Sequence, residues 1–317
     1  MTQSTPANTL EPVSFQTFKT DFSGFAARLG ESFRRYGFAV ISDHHLDVVT
    51  LDSAMADTKA FFALPEPTKA RYLSGTGGQR GYTAFGVETA KDNAHFDLKE
   101  FWHVGRDLPA GHPYARVMPP NVWPTEIPGF REDLSRLYAA LDNLGNQVLE
   151  AIAHNLGLDR NFFAGPVDKG NSILRLLHYP PVPQDGPNIR AGAHADINVI
   201  TLLLGAEEAG LEVQDRDGAW LAINPPPGSV VCNIGDMLER LTNRVLPSTI
   251  HRVVNPAPER RGFPRYSTPF FLHFNPDFDI VTLPSCISED RPDLYPDPLN
   301  AQEFLEIRLR EIKLVQT

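Results

Sequence analysis

The sequence predicts a mainly β fold with a helical annex, its core a sandwich or jelly roll. Three observations lead there. From about Ser172 to Phe274, short β-prone runs alternate with Pro/Gly turns, the pattern of an antiparallel two-layer core. Ahead of that region lie amphipathic stripes with helical spacing. Finally, 42% of the 317 residues are hydrophobic and 21% charged, enough apolar surface for a packed core.

The elements follow in order. Residues 1–12 read as a loose arm. Asp21 is placed to cap a helix running to Tyr36, with Phe25, Leu29 and Phe33 on one face and Gly37 as the stop. Phe38-Ala39-Val40-Ile41 is a short strand, and Asp43-His44-His45 a turn at its end. A second helix spans about Leu46 to Leu64, before Pro65 and Pro67. The glycine-rich stretch from Gly75 to Gly81 lacks a phosphate-loop pattern and reads as cover for a site. Asp97 to His103 is a strand; His95 and His103 read as surface groups or supports of a site. Leu134, Leu137, Leu141, Leu144, Val148 and Ile152 form one stripe on a long helix from Phe130 to Leu156.

In the second half, Ser172 to Tyr179 and His194 to Leu204 read as strands. Leu211–Gln214 and Trp220–Ile223 flank Asp215-Arg216-Asp217-Gly218 as a hairpin, and strands follow at 229–233, 251–255 and 265–274. Asn300-Ala301-Gln302-Glu303 opens a last helix to about Leu314. The organisation is then an annex of helices and short strands over 1–120 and a supporting helix with linker over 121–171. The jelly-roll core covers 172–280, and a C-terminal loop and helix 281–317.

Composition narrows the function. The formal net charge is −10 and no basic cluster stands out, so neither nucleic acid nor an anionic membrane is the expected partner. No apolar run approaches a membrane span. The two cysteines, Cys232 and Cys286, make no disulfide framework and suit a reducing cytoplasm.

The chemistry gathers at Gly192-Ala193-His194-Ala195-Asp196. On a strand, His194 and Asp196 would share a face. With His251 further on, they make two imidazoles and one carboxylate, the donor set that caps one face of a non-haem Fe(II) ion and leaves positions open. Arg265 and Ser267 share strand parity, and a guanidinium beside a hydroxyl is a receptor for a buried carboxylate. Arg260 and Arg261 lack a hydroxyl two residues on.

His194-Ala195-Asp196, His251-Arg252-Val253 and Arg265-Tyr266-Ser267 together resemble the isopenicillin N synthase-like branch of the Fe(II)/2-oxoglutarate-dependent oxygenases. Tyr36-Gly37-Phe38, Arg80-Gly81-Tyr82, Asp97-Leu98-Lys99-Glu100, His178-Tyr179-Pro180-Pro181, Gly210-Leu211-Glu212-Val213, Asn233-Ile234-Gly235-Asp236 and Leu241-Thr242-Asn243 extend the match over most of 12–275. The resemblance implies a double-stranded β-helix core, Fe(II) as cofactor and 2-oxoglutarate as cosubstrate, with O2 and a small molecule as reactants. It implies iron ligation by His194, Asp196 and His251. The distal carboxylate of 2-oxoglutarate falls to Arg265 and Ser267, with Tyr179 assisting. Two departures stand out: Leu177 replaces an asparagine that many plant members carry, and the loop between His251 and Arg265 is longer than in many relatives.

Phe271 shares parity with Arg265 and Ser267, and Arg175 with Tyr179, which makes both candidate contacts for the prime substrate, an anionic one if Arg175 points inward. The expected activity is oxidation of a small metabolite coupled to decarboxylation of 2-oxoglutarate. An ethylene/succinate-forming enzyme using arginine, and a metal-binding sensor without turnover, are the alternatives.

Overall fold

The computed structural model describes residues 10–73, 79–87, 97–182, 189–204 and 210–311. The predicted glycine-rich cover at 75–78, His95 and the last residues of the C-terminal helix lie outside them.

Strand β1 (Pro12–Ser14) leads into helix α1 (Phe22–Tyr36), whose first turn is capped by the Asp21 carboxylate accepting from Gly24 N at 3.0 Å. Gly37 ends the helix in the left-handed region, φ 69°. A Cβ there would also lie 2.5 Å from the Pro247 carbonyl, so space and conformation both demand glycine. Strand β2 (Phe38–Ser42), helix α2 (Val48–Phe62), and strands β3 (Gly81–Thr83) and β4 (Glu100–Gly105) follow. Helix α3 (Phe130–Asn155) buries the predicted leucine stripe completely, all six side chains being 2% exposed or less.

The core contains β5 (Ile173–Tyr179), β6 (Ala191–His194), β7 (Ile200–Leu204), β8 (Leu211–Gln214), β9 (Trp220–Ala222), β10 (Val230–Ile234), β11 (His251–Val253) and β12 (Arg265–Leu272). Helix α4 (Asp236–Leu241) follows β10, and α5 (Ala301–Glu311) closes the described chain. Asn300 and Glu303 exchange side chain-to-backbone hydrogen bonds at the start of α5, as the sequence predicts.

Two sheets form the core. The larger has the order β1-β2-β10-β7-β12-β5-β4-β3, and the smaller β6-β11-β8-β9. The annex strands extend the large sheet at both ends: β2 pairs with β10, and β4 with β5. Helix α3 packs on the large sheet so closely that a Cβ on Gly145 would lie 2.6 Å from Leu272 Cδ1. Its apolar stripe thereby shields one face of the sheet and leaves the other to the interior.

One predicted strand is corrected. The run from His194 to Leu204 is broken: β6 ends at His194 and β7 begins at Ile200. Carbonyls between them go to the first turn of α4 instead of to a ladder. Asp236 N donates to Asp196 O at 2.8 Å, and Met237 N to Ile197 O at 3.2 Å. Gly235 permits this approach, since a Cβ there would sit 2.1 Å from the Asn198 carbonyl oxygen. His194 and Asp196 therefore do not share a strand face; helix α4, which the sequence pattern did not reveal, places the aspartate.

Candidate metal and cosubstrate site

His194 at the end of β6 pairs directly with His251 at the start of β11, and their ring centroids are 4.5 Å apart. Asp196 brings Oδ1 to 3.9 Å from His194 Nε2 and 3.8 Å from His251 Nε2. The three donor atoms lie within 4.8 Å of one another. Two metal bonds of about 2.1 Å at a right angle span about 3 Å, so the carboxylate needs to close by about 1 Å on each imidazole around an ion.

The surrounding polar groups settle which atoms face the ion. His194 Nδ1 lies 2.7 Å from the Gly192 carbonyl and His251 Nδ1 3.2 Å from the Thr249 carbonyl. A carbonyl only accepts, so each Nδ1 carries the proton and each Nε2 keeps its lone pair. Asp196 Oδ2 accepts from Thr201 Oγ1 at 2.6 Å and Asn233 Nδ2 at 2.8 Å, leaving Oδ1 toward the imidazoles. Burial and the neighbouring His251 pull His194 down to about 4, although 36% of its side-chain surface is reachable. For Asp196, burial pushes upward but is outweighed by His251, His194, Asn233 and Thr201, so its carboxyl lies below the usual range. A neutral imidazole at His194 and an ionised Asp196 are the protonation states that a divalent ion requires.

Asp97 accepts from Gly192 N at Oδ1, 3.0 Å, and pairs through Oδ2 with Lys99 Nζ at 2.9 Å, both side chains buried. This ties the segment before β4 to the residue whose carbonyl orients His194.

The large sheet presents the second half of the site. Its register sets Arg265 opposite Tyr179 and Ser267 opposite Leu177. Arg265, 3% exposed, donates from Nη1 to Ser267 Oγ at 3.1 Å and lies 5.1 Å over the Tyr179 ring. Arg260 is exposed and Arg261 only partly covered.

Further along the same face, Arg175 donates from Nε to His103 Nε2 at 2.6 Å and lies over the rings of Phe101 at 4.2 Å and Phe271 at 5.2 Å. Phe271 pairs with Thr201, which holds Asp196. Arg175 and Phe271 are thus brought to the iron side of the sheet. His103 is 7% exposed and pairs with Arg175, so it is not a surface residue. The strand parity of Phe101 and His103 along the predicted β4 was the available signal. Thr201 and Asn233, the partners of Asp196, left no such trace, because their role depends on the β10–β7 register.

An open three-ligand centre of this kind, set in a two-sheet β core beside a buried cation, defines a mononuclear non-haem iron oxygenase. The family model of the 2OG-Fe(II) oxygenase superfamily matches residues 170–274, and that of the N-terminal domain of non-haem dioxygenases in morphine synthesis matches 10–126. A 2-oxoglutarate-Fe(II) type oxidoreductase of Emericella nidulans is 34% identical over 87% of this chain and 81% of its own. A protein of Caulobacter crescentus assigned to the 2OG-Fe(II) oxygenase family is 63% identical, with TM-score 0.91 over 96% of this chain and 99% of that one. A full-length Neurospora crassa protein solved in complex with alpha-KG is 29% identical, with TM-score 0.85 over 97% and 98%; it has also been captured with thymine. The chain belongs to the 2-oxoglutarate/Fe(II)-dependent oxygenase superfamily. It is an oxidoreductase with Fe(II) as cofactor and 2-oxoglutarate as cosubstrate.

Proposed function

We propose that this enzyme oxidises a small metabolite bearing an anionic group. His194, Asp196 and His251 ligate iron, Arg265, Ser267 and Tyr179 hold 2-oxoglutarate, and Arg175 and Phe271 meet the prime substrate. The observation that carries the reading is the run of Arg265, Ser267, Phe271 and Arg175 along one sheet face, beside the aspartate of the triad. The donor set fits iron, and when bound it supplies the redox chemistry that, with O2, splits 2-oxoglutarate into succinate and CO2. One oxygen atom enters succinate, and for a hydroxylation the other enters the product. The chain's own residues bind and orient. Arg265 offers a charged fork to the distal carboxylate, and the Ser267 hydroxyl adds a further donor. Phe271 and Phe101 exclude water, and Arg175, held in place by His103 and the two rings, presents its guanidinium to an acceptor on the substrate. Free buried thiols at Cys232 and Cys286 support a reducing, cytoplasmic setting. Among the described residues, no helix is long and apolar enough to cross a membrane.

The aromatic flanks of Arg175 also favour a second reading, a flat heterocycle with carbonyl acceptors, since the Neurospora crassa relative binds thymine. A screen of O2 consumption by the iron-loaded enzyme, with matched sets of amino acids, keto acids and pyrimidines, separates the two. Stimulation by carboxylates alone supports the first reading; stimulation by pyrimidines alone overturns it. With the substrate so found, Arg175→Met should abolish coupled oxidation yet leave slow decarboxylation of 2-oxoglutarate. Full coupling in that variant would remove Arg175 from the substrate contacts.

A further inference from the structure

Arg190 lies directly ahead of β6 and is 0% exposed. Its Nε and Nη1 have no hydrogen-bond partner among the described residues, and its Nη2 reaches only the Phe263 carbonyl, at 3.4 Å. Phe263 is two residues ahead of Arg265, so the second guanidinium lies at the entrance to β12, where the first is held. Arg80 is the useful contrast. It too is fully buried, but it lies flat against Gly105 and donates to the Gln79 carbonyl at 2.7 Å and to Asn171 Oδ1 at 3.4 Å. Among the described residues, Arg80 leaves only its Nε idle and has both Nη nitrogens bonded, whereas Arg190 leaves Nε and Nη1 idle.

A buried cation with idle donors is costly, and a second cation nearby adds to the cost. Burial and, after it, the neighbouring Arg265 draw Arg190 down to about 10. An anion shared between the two would relieve the desolvation and the repulsion at once. A carboxylate has about four lone-pair sites, more than the fork of Arg265 and the hydroxyl of Ser267 need to fill.

We infer that Arg190 is a second guanidinium for the distal carboxylate of the cosubstrate, clamping it from the side opposite Arg265 and setting the preference for a dicarboxylic keto acid. The inference rests on the reading that Arg265 and Ser267 receive that carboxylate. It gives Arg190 two effects of opposite sign. Without cosubstrate the residue weakens the fold; with cosubstrate it strengthens the complex.

The test is equilibrium binding by anaerobic calorimetric titration of the Fe(II)-loaded protein with 2-oxoglutarate and with 2-oxobutyrate, which shares the keto-acid end but has no distal carboxylate. Arg190→Met should raise the Kd for 2-oxoglutarate at least tenfold and leave that for 2-oxobutyrate within twofold. The ligand-free variant should melt at a higher temperature than the parent. Arg190→Lys, which keeps the charge without the fork, should fall between the two, and it carries the test if the methionine variant does not fold. Unchanged discrimination between the two keto acids in either variant overturns the inference, as does equal weakening for both. Arg265→Gln in the same titration keeps the two readings apart. If it loses discrimination while Arg190→Met does not, the assignment of Arg265 stands and that of Arg190 fails; the reverse result removes Arg265 and leaves Arg190 as the receptor.

Discussion

Strands β4 and β5 carry buried polar groups on both faces, and the two faces differ in how those groups are satisfied. On the face toward the helices, Glu100 is closed in by Lys69 Nζ at 2.7 Å, His178 Nδ1 at 2.7 Å and the Tyr82 hydroxyl. Burial pushes the Glu100 carboxyl upward, but hydrogen bonds from His178, Lys69 and Tyr82 outweigh it, and the group stays below its ordinary range. Lys69 also meets Glu66 at 2.6 Å, so the charges of that network find partners within the protein. On the interior face, cations dominate: Arg175 and Arg265 meet aromatic rings, an imidazole and a hydroxyl. Asp196 keeps one oxygen for a metal and gives the other to Thr201 and Asn233. A network that closes on itself fixes a fold; one that keeps a lone pair in reserve, as Asp196 does, awaits a ligand.

Substitutions sharpen the contrast. The largest expected effect is at the metal. His194→Ala, Asp196→Ala and His251→Ala should each lower turnover by about a thousandfold or more, with far-ultraviolet circular dichroism unchanged, since the imidazoles and carboxylate hold the ion and not the core. Full activity in all three would place the site elsewhere.

Next comes the closed face. Glu100→Gln removes the buried carboxylate from Lys69, leaving it only the exposed Glu66 at 2.6 Å, and should cost about 3 kcal/mol of stability in urea unfolding, while the iron affinity of the folded protein stays within a few-fold. A larger loss of iron affinity than of stability would show that the two faces are not separate.

Then the cosubstrate. Arg265→Ala should raise the KM for 2-oxoglutarate far more than Ser267→Ala, a charge-assisted contact of about 2–5 kcal/mol against about 1 kcal/mol for a neutral hydrogen bond. Arg261→Ala should change it little. Equal effects at 261 and 265 would mean that the receptor lies on the loop before β12.

Much of this contrast is legible in the sequence because it rests on local rules. Strand parity places Arg265 with Ser267 and Arg175 with Tyr179, and the caps at Asp21, Gly37 and Asn300 are short-range chemistry. The position of Asp196 is not legible, because its carbonyl is claimed by α4, some forty residues later in the chain. Parity along an unbroken strand gives the right grouping of His194 with Asp196 for the wrong reason. The same limit hides Arg190, since idle donors are visible only once every neighbour is known, and His103, whose burial depends on β4 pairing with β5.

The smallest effect lies in the scaffold between α2 and α3. Burial, with Asp133 opposite, raises the Asp57 carboxyl to about 6. A raised carboxyl binds its proton more tightly when folded, so it favours the folded state at low pH and that contribution is lost as pH rises from about 4 to 6. Asp57→Asn should therefore stabilise the protein by about 1 kcal/mol at pH 7.5 after allowance for solvent screening, with the gain fading by about pH 4. Thermal melts at the two pH values check it, and a gain independent of pH would contradict the assignment.

The central claim is that the interior face, and not the closed one, is the reactive site. Its most direct measurement is succinate released from 2-oxoglutarate by the iron-loaded enzyme under O2, for the parent, His194→Ala and Glu100→Gln at a temperature where all three are folded. Release is expected from the parent and Glu100→Gln, and none above background from His194→Ala. Equal release by the parent and His194→Ala, or loss in Glu100→Gln alone, would contradict it.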